Sequence, residues 1–196
     1  MKLWKFVAIV LLSGSVGSLG AQHWLPPLPP AVDIPIANIP QQGPVWCWAA
    51  VAQQIIHARM GAQGTPAQCA LVATAYGHDP MSCCTYPSTC QATGTFPQIA
   101  FLINRFGGVA SSYSLPAGPM EVYQTLQARR PILVHVRSGY ATSHVVLVRG
   151  MHFVHGPNGM QAFLHVNDPM SYYAQPVPFE SIAPIWVDAL VVREPR

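Results

Sequence analysis

Lysine is nearly missing from this chain. Lys2 and Lys5 are the only two, and both lie in an amino-terminal stretch with the layout of a removable leader. Beyond it eight arginines face seven acids, a net charge near +1. The arginines are scattered apart from Arg129-Arg130, so no basic stripe tracks a phosphate backbone, and nucleic acid is not an expected partner. Charge of either sign is scarce, at 9% of residues against 51% hydrophobic. That balance excludes a disordered chain and gives 196 residues enough apolar surface for one domain with a real core. Long apolar runs are lacking too: Phe6 to Leu12 is too short to span a bilayer and no later run replaces it, so no stable membrane anchor is expected. A lipid anchor is not expected either, because the first cysteine, Cys47, lies far beyond any plausible cleavage point. The chain has no clear double C-x-x-C ligand pattern, which argues against a zinc site, and no internal repeat.

What is present begins with Met1 to Ala21: two lysines, the apolar run, then small residues ending Ser18-Leu19-Gly20-Ala21. This is the arrangement of a secretory signal peptide, and it predicts a secreted or periplasmic protein. Residues 22–40 are dense in proline and read as an extended arm. Residues 41–196 read as the working domain.

Cysteine usage points the same way. Cys69, Cys83, Cys84 and Cys90 fall within one short stretch, and Cys47 stands alone. In an oxidising compartment the four are disulfide candidates. Cys83 and Cys84 are poorly placed to bond each other, since one trans peptide holds their Cα atoms about 3.8 Å apart. Two pairings stay open, 69–83 with 84–90 or 69–84 with 83–90.

The lone cysteine sits in the most informative segment, Gln41-Gln42-Gly43-Pro44-Val45-Trp46-Cys47-Trp48. The run from Trp48 to Ile56 has the alanine and isoleucine content of a buried helix, which places Cys47 in its first turn. There the exposed helix amides and the macrodipole favour thiolate over thiol. Gln41, six residues earlier, is spaced as an oxyanion donor on the same loop-to-helix junction. The first helix is predicted to end near Gly61. A second is predicted from Pro66, capped by Thr65, to about Tyr76; a third spans Phe96 to Phe106, and a fourth Pro119 to Arg129. From Pro131 the period changes. Ile132–Val136, His144–Val148, Ala162–Val166 and Trp186–Val192 are β-branched or apolar runs separated by turn residues, which predicts an antiparallel sheet.

A free thiol needs a base, and eight histidines compete for the role. His144 stands out because it follows the polar turn Ser138–Ser143 and opens a strand running into Gly150, a sheet-edge position facing a cleft. Asp168 ends the next strand, and antiparallel pairing brings it to the start of the His144 strand, close enough to orient the ring. Its neighbour Asn167 is a rival for that role.

Gln41, Cys47-Trp48-Ala49, and His144 followed by alternating apolar residues and Gly150 resemble the papain-like cysteine peptidases. The likeness extends to short secreted bacterial members, the staphopains and plant-pathogen effector peptidases, which share the Trp-Cys-Trp-Ala-Ala segment. It covers most of residues 39 to 170. It implies an α+β fold whose helical first half, with the cysteine at a helix start, packs on an antiparallel, barrel-like second half. It also implies a monomer acting on polypeptide without metal or cofactor. Cys47 would be the nucleophile, His144 the base and then the acid, Asp168 the orienting group, and Gln41 with the Cys47 amide the oxyanion hole. The chain departs from plant and lysosomal members in three places. Only the proline-rich arm stands where they carry a long inhibitory prosegment, Trp46 replaces a small residue, and Asp168 replaces an asparagine. The arm's position predicts that it docks across the cleft. Two other functions use the same features: a Cys-His amidase, deamidase or transglutaminase acting on peptidoglycan or protein amides, and a non-catalytic binding module with the cleft blocked.

Overall fold

A computed structural model describes residues 26–116, 118–138, 142–173 and 175–193. The leader expected over residues 1–21 lies outside these, as do residues 22–25 of the arm. Chain order runs β1 (Val32–Asp33), α1 (Cys47–Gly64), α2 (Gln68–Ala75), α3 (Ser82–Thr85), a 3-10 turn (Pro87–Cys90), α4 (Phe96–Arg105), β2 (Val109–Tyr113) and α5 (Pro119–Gln127). It continues with β3 (Ile132–Ser138), β4 (Thr142–Gly156), β5 (Gly159–Asn167), β6 (Val177–Pro178), α6 (Phe179–Ile182), a second 3-10 turn (Ala183–Ile185) and β7 (Trp186–Arg193). The architecture is α+β, with a mainly helical first half and one antiparallel sheet. Its strands run β2-β7-β3-β4-β5-β6, and β1 adds to β4.

Helix α1 is the centre of the molecule. Trp48 through Ile56 are buried without interruption, including Gln53 and Gln54. A helix apolar on every side has to lie inside the protein, and its alanines let neighbouring elements approach closely. The helix packs on β4, whose Val146, Leu147 and Val148 are fully buried, and on α4, which contributes Ile99, Leu102 and Ile103. Helix α4 starts where its sequence says it should: Thr95 and Gln98 form a reciprocal capping box with Pro97 in the first turn.

Helix α1 breaks at Gly61 (φ 71), where its end is expected, and one further turn runs to Gly64. Two local expectations are corrected. Thr65 does not cap α2; its hydroxyl donates back to the Gly61 carbonyl, closing the end of α1, and α2 starts at Gln68. Strand β4 does not stop at Gly150. That glycine lets β1 in, because a Cβ there would lie 2.6 Å from the Val32 carbonyl oxygen, and β4 runs on to pair with β5 as far as Gly156. An additional edge strand, Val109–Tyr113, pairs with β7; Ser111 and Ser112 give it no strong apolar alternation, so it is not among the strands expected from the sequence.

The described part of the arm is extended, as its prolines require, yet it is pinned. Ile34 and Ile36 are buried, Tyr123 donates to the Pro30 carbonyl at 3.0 Å, and Asp33 pairs with Arg149.

The four clustered cysteines pair 69–84 and 83–90, the second of the two arrangements left open by the sequence. Together they tie α2, α3 and the 3-10 turn into one staple. Closing a loop with the 15-residue separation of the first bridge is worth about 3 kcal/mol. The double variant Cys69→Ala/Cys84→Ala should lose stability on that scale in urea unfolding under non-reducing conditions; a loss below about 1 kcal/mol would mean the bridge constrains nothing.

Candidate active site

Cys47 is the first residue of α1 and the single free cysteine among the described residues, half-buried in a cleft of about 380 Å³. The amides of a first helical turn have no acceptor within the helix, so they face whatever occupies the space beside the thiol. His144, on β4, lines the same cleft, near enough to Cys47 for the thiol to influence its titration.

The sheet supplies the third group. Leu147 of β4 pairs with Asn167 of β5, so Asp168 leaves β5 alongside the first residues of β4. His144 Nε2 donates to Asp168 Oδ1 at 2.6 Å, and both side chains are 2% exposed. That bond leaves Nδ1 as the ring nitrogen free to meet the thiol. The loop after Asp168 wraps its carboxylate: Met170 N–H donates to Oδ1 at 2.9 Å, while Tyr172 and Tyr173 N–H donate to Oδ2 at 2.6 and 3.2 Å. Asn167 is engaged elsewhere. Its Oδ1 accepts from Arg149 Nε and its Nδ2 donates to the Ile36 carbonyl, both at 2.9 Å.

The electrostatics follow from these contacts. Burial by itself favours a neutral His144, but the hydrogen bonds and negative charge of Asp168 and Cys47 together outweigh it and push the pKa up to about 9. Burial pushes Asp168 upward, yet the His144 ring and the loop amides win and hold it below its ordinary value. The result is a buried imidazolium-carboxylate pair beside a half-exposed thiol.

Gln41 is not among the residues that line the cleft; it is held by the loop after Asp168 and by its own turn. Its backbone N–H donates to the Pro169 carbonyl at 3.1 Å, and its side-chain Nε2 donates to the Gly43 carbonyl at 2.7 Å. An amide nitrogen has two hydrogens, so one remains beyond that bond. The segment leading to it is anchored by buried glutamines. Gln54 Nε2 donates to Asn38 Oδ1 and the Ile39 carbonyl, Gln68 Nε2 donates to the Pro40 carbonyl and Gln53 Oε1, and Gln42 N–H donates to Gln68 Oε1.

Sequence reasoning overlooked the cleft wall. Trp46 and Trp48 are buried as expected, but each also donates its indole N–H to the disulfide-stapled segment, to the Cys90 carbonyl at 3.0 Å and the Ala92 carbonyl at 3.2 Å. Thr93 and Gly94 then line the cleft, with Gly94 so close on Trp48 that a Cβ would sit 2.1 Å from the ring. A glycine just after a cysteine cluster was the available signal. The arm, by contrast, contributes none of its described residues to the cleft lining; it runs along the sheet.

A helix-start thiol beside a histidine on an antiparallel sheet is the arrangement of the papain-like cysteine peptidases. The family model described as papain-like cysteine protease AvrRpt2 matches residues 30–183, and the chain belongs to that family. It is a cysteine peptidase with an α+β papain-like fold. Among solved structures it is similar to the peptidase domain of Streptococcus ComA, a bi-functional ABC transporter involved in a quorum sensing pathway. The identity is 19% and the TM-score 0.46, over 81% of this chain and 97% of that one. No curated protein matches. No helix among the described residues is long and apolar enough to cross a membrane.

A folded-state pKa raised above its ordinary 6.5 means that the native protein holds the His144 proton more tightly than the unfolded chain does. The stabilisation is complete below 6.5 and lost as the pH climbs through about 9. The stability difference between wild type and His144→Gln should therefore shrink across that window. The ring's NMR titration midpoint should lie near 9 in the wild type and drop in Cys47→Ala. A midpoint of 6.5 in both proteins would contradict the geometry.

Proposed function

We propose that the protein is an exported thiol endopeptidase that works as a monomer and hydrolyses peptide bonds through Cys47, His144 and Asp168. One observation carries the proposal. The His144 ring is bonded at Nε2 to the buried Asp168 carboxylate and lines the same open cleft as Cys47. Export is supported by the leader-like residues 1–21 and by the two disulfides.

The steps follow from the chemistry of those groups. The Cys47 sulfur, as thiolate beside the His144 imidazolium, attacks the scissile carbonyl carbon and its electron pair moves onto oxygen. Gln41 Nε2, through the hydrogen not given to Gly43, and the Cys47 backbone amide hold that oxyanion. His144 passes its proton to the leaving amine, and the carbon-nitrogen bond breaks to leave a thioester. The now neutral ring takes a proton from water, which attacks the thioester and releases the acid and the thiolate. Asp168 keeps the ring in the orientation and tautomer that serve both transfers.

Cleavage of a denatured protein by the exported, unreduced protein tests the proposal. Cys47→Ala should abolish cleavage with fold and disulfides intact, and Gln41→Ala should lower kcat by about a hundredfold. In a parallel assay, iodoacetamide should label Cys47 rapidly below neutral pH in the wild type and slowly in His144→Ala. An active Cys47→Ala protein, or slow labelling indifferent to His144, would end the proposal.

A further inference from the structure

A second chain of polar side chains reaches the cleft from the sheet. His135 of β3 stands directly opposite Asp188 of β7 in the strand register and opposite Val145 of β4. Ser143, two residues before Val145, is therefore its diagonal neighbour on the same face. His135 Nδ1 lies 2.9 Å from Asp188 Oδ1, its Nε2 is hydrogen-bonded to Ser143 Oγ, and Phe96 packs edge-on to the ring with centroids 6.1 Å apart. None of these residues has a part in the peptide-cleaving steps, yet Ser143 lines the cleft beside His144.

The hydrogen-bond roles are fixed by what each group can do. An ionised carboxylate only accepts, so the ring nitrogen facing Asp188 carries the hydrogen and, in the neutral imidazole, Nε2 is left as an acceptor. The Ser143 hydroxyl spends its one hydrogen on that nitrogen. What it presents to the cleft is lone pairs. The connectivity matches that of a serine hydrolase triad, but the Asp188 side chain is 58% exposed, where such triads bury the acid. The relay therefore suits recognition, with no second nucleophile.

We infer that Ser143 is a substrate-binding group that accepts a hydrogen bond from a main-chain N–H of the polypeptide, and that His135 and Asp188 are positioning residues that hold it as an acceptor. The inference rests on the peptidase reading of the cleft. It makes β4 supply two functions from adjacent residues: Ser143 for grip and His144 for chemistry.

A peptide that the full-length exported protein cleaves, and a series of analogues each with one N–H replaced by an ester oxygen, provide the test. One analogue should lose about fivefold in kcat/KM with the wild type, the loss carried by KM, and that penalty should vanish with Ser143→Ala. His135→Ala should raise KM for the parent peptide as Ser143→Ala does. His135→Gln, whose amide oxygen accepts from Ser143, should restore it. The same ester penalties in wild type and Ser143→Ala, or no rescue by glutamine, would overturn the inference. Parent-peptide cleavage that persists in Cys47→Ala would overturn the peptidase reading itself, a result distinct from either.

Discussion

Everything at the site depends on the stitching of residues 34–42 between the two halves of the molecule. Ile34 N–H bonds to the Arg149 carbonyl, the Ile36 carbonyl accepts from Asn167, Asn38 Nδ2 donates to the Asp168 carbonyl at 3.1 Å, and Gln41 N–H donates to the Pro169 carbonyl. On the other side Gln54 of α1 and Gln68 of α2 present their amides to the same segment, and Gln53 backs Gln68 by accepting from its Nε2. Buried amides are costly to leave unpaired, and the bonds made here by the side-chain nitrogens of Gln54 and Gln68 hold the segment that joins the Asp168 loop to the start of α1, although Gln54 Oε1 and Gln41 Oε1 find no partner among the described residues. Proline suits this segment because extended backbone with few N–H groups can lie against both halves without orphaned donors.

From that constraint the rest follows in order. The mostly apolar first half of α1 is driven inside, its first turn emerges where residues 34–42 end, and the thiol lands at the mouth of a cleft whose far wall is the sheet. The wall on the near side belongs to the disulfide-stapled loop, held by two indoles that flank the thiol in sequence. The tryptophan that replaces the small residue usual before the cysteine thus has a physical task. Trp46 reaches one carbonyl of the loop and Trp48 another, so helix start and staple are tied together at two points.

Much of this was legible in the sequence because it rests on local chemistry. Helix α1, helix α4, the four principal strands and the nearness of Cys47 and His144 in one cleft all follow from period, turn residues and strand-end position. The preference for Asp168 over Asn167 became clear only in three dimensions, since Asn167 is taken by Arg149 and Ile36, partners far away in the chain. The path of the arm was misread for a similar reason. Nothing in a run of prolines says which surface it will follow, whereas Gly150, read as a strand end, marks where β1 closes on β4. The edge strand Val109–Tyr113 carries too little alternation to announce itself and owes its form to β7.

The staple gives the chain an uncommon redox demand. Cys83 is fully buried, but Cys69, Cys84 and Cys90 are only partly covered, and Cys47 opens onto the cleft. With Cys47 as the proposed nucleophile, one sulfur has to stay reduced while four stay oxidised, within a single small fold. An environment reducing enough to strip every oxidised adduct from the thiol also attacks the bridges that hold the cleft wall, and one oxidising enough to secure the bridges threatens the thiol. The molecule therefore has a working range bounded on both sides, and partial burial does little to widen it, since Cys69, Cys84 and Cys90 are partly covered just as Cys47 is.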